Sequence, residues 1–191
     1  MQARIFVDIT DVKSYLGLVR FERAVGIFTI LSGQEVEMTY AAAGVDDPIP
    51  ASVYERQARV TGIDLNLDDI VPADATDAWR LLTWAGGVGT EHQRELLFQL
   101  WRAHFLEGAD IAEPFVLASR AALAGLALNE AEAVLASGDF GEDVALQRAT
   151  AHALGIATTP YIVVEGEHTI TGLRAQDDYI EALNHIRSAA D

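Results

Sequence analysis

The chain has 191 residues, half of them hydrophobic and 22% charged, and its 29 acidic against 13 basic side chains give a formal net charge of −16. That length suits one domain, or one domain carrying an insertion, with enough chain to bury a core. So acidic a surface repels nucleic-acid phosphates and anionic membranes, and a chain without cysteine has no disulfide, no thiolate-bound metal and no thiol nucleophile.

In chain order, Ala3, Ile5, Val7 and Ile9 alternate with Arg4, Phe6 and Asp8, the period of a strand. From Ser14 to about Leu31 the period lengthens to that of a helix buried on a wide face, stopped by Ser32-Gly33. Val36, Met38 and Tyr40 alternate with Glu35, Glu37 and Thr39 as a second strand, so the chain opens β-α-β, normally a parallel pair with a right-handed crossover. Asp46-Asp47-Pro48 and Ile49-Pro50 mark a loop. A short helix is expected over 54–61 and irregular chain over 62–72.

From Asp74 to about Gly138 nearly everything reads as helix, in four apolar-faced segments parted by Gly86-Gly87, Gly108 and Gly125. A further helix runs from Asp143 to Leu154. Tyr161-Ile162-Val163-Val164 is an apolar strand, Glu165-Gly166-Glu167 a hairpin turn into 168–171, and Asp177 to about Ala189 a terminal helix. The order β-α-β, helical block, β-β-α makes an α/β fold with a mixed sheet. Its divisions are 1–68, a helical insertion over 69–148, and 149–191. No basic segment precedes an apolar one at the N-terminus, and no run approaches about 18 apolar residues, so neither a signal peptide nor a membrane span is expected, and a cytoplasmic location is.

Four stretches, D-I-T-D-V-K-S-Y-L-G (8–17), A-W-R-L-L (78–82), E-L-L-F-Q-L-W-R-A-H-F-L-E-G-A-D-I (95–111) and G-I-A-T-T-P-Y-I-V-V (155–164), resemble the DsbA-like branch of the thioredoxin superfamily, and most closely the FrnE-like group of predicted dithiol–disulfide isomerases. Asp8, Tyr15 and Gly17 fall in register with that group's D-x-x-C-P-W-C-Y-x-G. A-W-R-L-L (78–82) is similar to its A-H-R-L-[LI], 95–111 to its L-F-x-A-Y-F-x-E-G-x-D-I, and G-I-A-T-T-P-Y-I-V-V (155–164) to its G-[IV]-x-G-V-P-x-F-V. The related 2-hydroxychromene-2-carboxylate isomerases and kappa-class glutathione transferases share the layout. The resemblance spans almost the whole chain and implies a thioredoxin-like fold with a helical insertion, and a cis Thr159–Pro160 peptide facing the active-site helix. It also implies a groove there, bordered by Trp79, which replaces the family's His, and by His104 in place of its Tyr. The departures are as informative. Asp11 and Ser14 stand where the cysteines would be, and Val12-Lys13 replaces Pro-Trp.

A C-x-x-C motif works because helix-terminal amides and the helix dipole stabilise a thiolate. Asp11 takes that electrostatic position and is among the best N-caps, worth about 1 kcal/mol over Ala. Two readings follow. In one, Asp11 and Ser14 cap a helix, and the groove beside Thr159-Pro160 binds a peptide or small ligand through backbone groups. In the other, Asp11 is a general base and Ser14 its polar partner in an isomerase- or transferase-type enzyme. A carboxylate that accepts helix N–H bonds is a poor base near neutral pH, which favours binding. Dithiol exchange needs a sulfur nucleophile and is not expected. Glutathione is the one cofactor the resemblance allows, and Asp11 would repel its thiolate. Lys13 is expected to be solvated. His104 is expected on a helix surface, and Trp79, Trp84 and Trp101 mainly in the core. The histidines have no metal-ligand spacing, and Gly86-Gly87-Val88-Gly89 follows no strand, so neither zinc nor phosphate binding is expected. The oligomeric state is left as monomer or homodimer.

Overall fold

In the computed structural model, which describes residues 1–44 and 50–190, the chain builds one four-stranded mixed sheet. Strand β1 (Gln2–Val7) pairs in parallel with β2 (Glu37–Ala42) and antiparallel with β3 (Tyr161–Val164), and β3 pairs antiparallel with β4 (His168–Thr171). The spatial order is β2-β1-β3-β4. The β3–β4 pairing follows from a tight turn. Glu165 and Gly166 both have positive φ (53° and 79°), and Glu167 N bonds back to Val164 O, the left-handed pair that matches strand twist.

Helix α1 (Val12–Ser32) crosses from β1 to β2 and ends at Gly33, whose left-handed φ of 72° lets its N–H reach Thr29 O. It starts two residues earlier than the periodicity suggests, because Asp11 caps it. Strand β2 runs two residues further, to Ala42. Ala41 and Ala42 are weak strand formers, but they pair with Phe6 and Val7, and Ala43 N closes on Val7 O.

Ala3, Ile5 and Val7 of β1 face α1 and α8 (Gln176–Ala190) in the main core, with Leu16, Phe21, Phe28, Tyr179 and Leu183. Phe6 faces the other way, into a smaller cluster with Ala41, Ala43, Ala151 and Ile156. Helix α2 (Glu55–Thr61) follows a 3-10 turn at 51–54; a second turn at 67–69 interrupts the stretch read as irregular. The helical block holds α3 (Thr76–Val88), α4 (Thr90–Phe105), α5 (Pro114–Leu123) and α6 (Leu128–Ala136). Trp79, Leu82, Leu97 and Trp101 form its buried seams. Helix α7 (Gly141–Ala153) packs on both β2 and α3, so the division drawn after residue 148 falls inside a helix shared by sheet and block. Of the loop read at 46–50, all but Pro50 lies outside the described residues.

Candidate functional site

The end of β1 turns into α1 through two aspartates. Asp8 Oδ1 accepts Thr10 N (2.9 Å) and Thr10 Oγ1 (2.8 Å), closing the turn. Asp11 then caps α1, its carboxylate accepting Lys13 N at 3.0 Å and Ser14 N at 3.2 Å. Ser14 Oγ donates to Asp11 Oδ2 (3.1 Å) and accepts from Asp8 N (2.9 Å), so both roles of the hydroxyl are filled. Across the cleft, Thr159 Oγ1 donates to the same Asp11 Oδ2. The Thr159–Pro160 peptide is cis, and the Pro160 ring lies against Gly17. A Cβ on Gly17 would sit 2.5 Å from Pro160 Cγ and 2.6 Å from Cδ, so only glycine admits the proline there.

This placement of a helix N-terminus opposite a cis-proline turn agrees with a family match over residues 6–184, to the DsbA-like thioredoxin domain. The chain belongs to that family. Solved structures share its fold at low identity. A probable DsbA oxidoreductase from Streptomyces coelicolor has a TM-score of 0.84 at 24% identity, with 98% of this chain and 90% of that one covered. The cytosolic disulfide reductase DsbM from Pseudomonas aeruginosa has a TM-score of 0.72 at 18% identity, covering 99% and 100%. A 2-hydroxychromene-2-carboxylate isomerase has a TM-score of 0.67 at 16% identity, covering 100% and 96%. No curated protein matches. Among the described residues, no helix is long and apolar enough to cross a membrane.

Where a DsbA-like redox enzyme needs sulfur, this member has a closed oxygen network. Asp11 receives four donors, Ser14 is used in both senses, and the Thr159 hydroxyl is committed. Ser14 and Thr159 are buried (0% and 1% exposed), and Asp11 is half-buried. The structure adds one residue that no spacing in the sequence pointed to. Tyr54, in the 3-10 turn before α2, has its phenol pKa raised by burial and then by the negative charge of Asp11, and that turn packs on α1.

Other residues marked by the sequence lie deeper than expected. Lys13 is buried at 6% exposure, against the solvated placement expected of a first-turn lysine. His104 is 2% exposed rather than on a helix surface. Its ring meets Phe105 edge-on, and Nδ1 has no hydrogen-bond partner among the described residues. Burial pushes its pKa down to about 4, with Asp110 opposing. The reason is the aromatic seam on α4. Tyr15 stacks on Trp101 and Phe105, drawing this face of α4 against α1. Trp79 is 1% exposed and belongs to the core. The structure therefore brings Asp11, Ser14, Thr159 and Pro160 together, and leaves Trp79 and His104 inside rather than on an open groove wall. Among the described residues, surface cavities of about 280 to 550 Å³ are lined by other residues than these.

Proposed function

We propose that this DsbA-like protein is redox-inactive and works by binding, with the former redox face kept as a rigid polar rim that takes an extended peptide or a small ligand. The observation that carries this reading is the Asp11 carboxylate bonded at once to Ser14 of α1 and to Thr159 of the cis-proline turn. It supplies the negative charge a thiolate would hold, without a nucleophile. Because Thr159 and Pro160 are themselves buried, the ligand meets the half-buried Asp11, Tyr54 and Thr158 at the rim. Glutathione is disfavoured there, because its thiolate would lie against Asp11.

The test has two arms. Insulin reduction by the native chain should equal a buffer blank, and turnover above it would overturn the redox-inactive reading. In an amide NMR titration with short extended peptides, shifts should centre on Asp11, Tyr54 and Thr158 and be lost in Tyr54→Ala. A peptide panel that leaves those three positions unmoved would sink the binding reading.

A further inference from the structure

Strand β2 forms one edge of the sheet. Its odd-numbered residues turn their backbone groups toward β1, as the bonds from Glu37 N to Met1 O and from Ala43 N to Val7 O require, both 2.9 Å. The even-numbered residues therefore present theirs outward. At two of the three outward positions the chain supplies a substitute for a neighbouring strand. Gln93 Oε1 accepts Tyr40 N (3.3 Å) while its Nε2 donates to Tyr40 O (3.1 Å), one side-chain amide imitating a peptide group. Gln147 Oε1 accepts Ala42 N at 2.9 Å.

Met38 is the third position, and among the described residues it has no such substitute. It opens on a polar cavity of about 350 Å³ bordered by Glu35, Glu37, Thr90, Glu91 and Arg94. Arg94 is committed to Glu22 through two bonds of 2.9 and 2.7 Å. Gln2 Nε2 also donates to Glu37, and with Arg94 balanced chiefly by Glu22 the cavity keeps an excess of negative charge from Glu35, Glu37 and Glu91.

We propose that the β2 edge at Val36–Met38 receives a short strand from a basic partner. The partner's backbone pairs with the outward N–H and C=O of Met38, and its Lys or Arg side chains lie along Glu35, Glu37 and Glu91. The added strand ends before Tyr40, where Gln93 already holds the edge. A second copy of this chain is a poor occupant, because each copy carries a net charge of −16.

The experiment titrates the full chain with the probe peptide Ac-Val-Arg-Val-Arg-Val-NH2, read by amide NMR shifts. A same-charge control has proline at its centre and so lacks the central N–H. Shifts confined to residues 36–40 and 90–94, with the control binding about tenfold more weakly, are expected. Met38→Pro removes the outward donor of an edge strand, where proline is tolerated, together with a side chain partly packed on the core, and should weaken binding by a similar factor. If that variant misfolds, Glu37→Lys combined with Glu91→Lys carries the same test from the charge side. Equal binding of the proline control, shifts spread over the acidic surface, or concentration-dependent self-association through residues 36–40 would each overturn the proposal. None of these positions belongs to the Asp11 rim, so failure here leaves the proposed function standing, and the reverse.

Discussion

Gly17 of α1 and Pro160 of the cis-proline turn are in contact so close that no side chain fits between them, a Cβ on Gly17 falling 2.5 Å from Pro160 Cγ. The neighbour is a proline ring, which cannot swing aside. Gly17→Ala should therefore destabilise the fold by about 1–3 kcal/mol, the usual cost of overpacking. Gly26→Ala, in the same helix with nothing within 4 Å, should stabilise by about 0.5–1 kcal/mol through helix propensity alone. Urea denaturation of the two variants checks the contrast, and equal effects would show that the Pro160 contact is not what fixes residue 17.

Asp11 and Thr159 couple the start of α1 to β3 through a single carboxylate. Asp11→Ala removes an N-cap worth about 1 kcal/mol and strands the buried Thr159 hydroxyl, at about 1–3 kcal/mol. Thr159→Val alone should cost less, since Asp11 keeps its helix donors. In a double-mutant cycle the pair should show a coupling of about 1 kcal/mol. Additive effects would mean that the hydroxyl contributes nothing across the cleft.

His104 makes stability depend on pH in a definite window. Its pKa is pushed down to about 4 by burial, against about 6.5 in an unfolded chain. Between those values the unfolded state binds the extra proton, so stability falls as pH drops from about 6.5 to 4 and loses nothing more to this group below that. The whole loss is about 3 kcal/mol. Glu107, held below the usual carboxylate range by hydrogen bonds from Arg120 and Arg102, acts in a lower window. Its contribution is present above the ordinary carboxylate pKa and is lost only as pH falls through its lowered value. Urea midpoints at pH 7 and 4.5 should differ clearly in the native chain and much less in His104→Leu.

Asp11 and Ser14 are one helical turn apart, with Oδ2 and Oγ at 3.1 Å. The double replacement Asp11→Cys/Ser14→Cys should form a disulfide under mild oxidation and gain insulin-reducing activity that the native chain lacks. Mass spectrometry of the oxidised variant detects the bond as a loss of two hydrogens. A variant that stays fully reduced would show that the turn no longer has redox geometry.

Local rules carried the fold a long way. Period-2 and period-3.6 patterns placed the strands and helices, since each element is amphipathic or apolar according to the neighbours it covers. The resemblance, rather than any local rule, pointed to Thr159-Pro160 and Asp11, which the fold brings together. Features that depend on distant segments were not legible. Lys13 and His104 read as surface residues because nothing in their own turns reveals what packs over them; the Phe105 ring that His104 meets edge-on is itself stacked on Tyr15, ninety positions earlier. No pattern in the sequence marks Gln93 and Gln147, which reach 53 and 105 positions back to satisfy β2. Tyr54 comes within the electrostatic reach of Asp11 only once α2 and its preceding turn dock on α1.

Lys13 is the only lysine in the chain, and it is buried where α1 begins. A side-chain amine reagent thus has one target, and can reach it only when the first turn of α1 lifts. The rate of Lys13 acylation would then serve as a clock for local opening at this corner. It would slow when a bound ligand clamps the turn, and quicken when Asp11 loses its hold on Thr159.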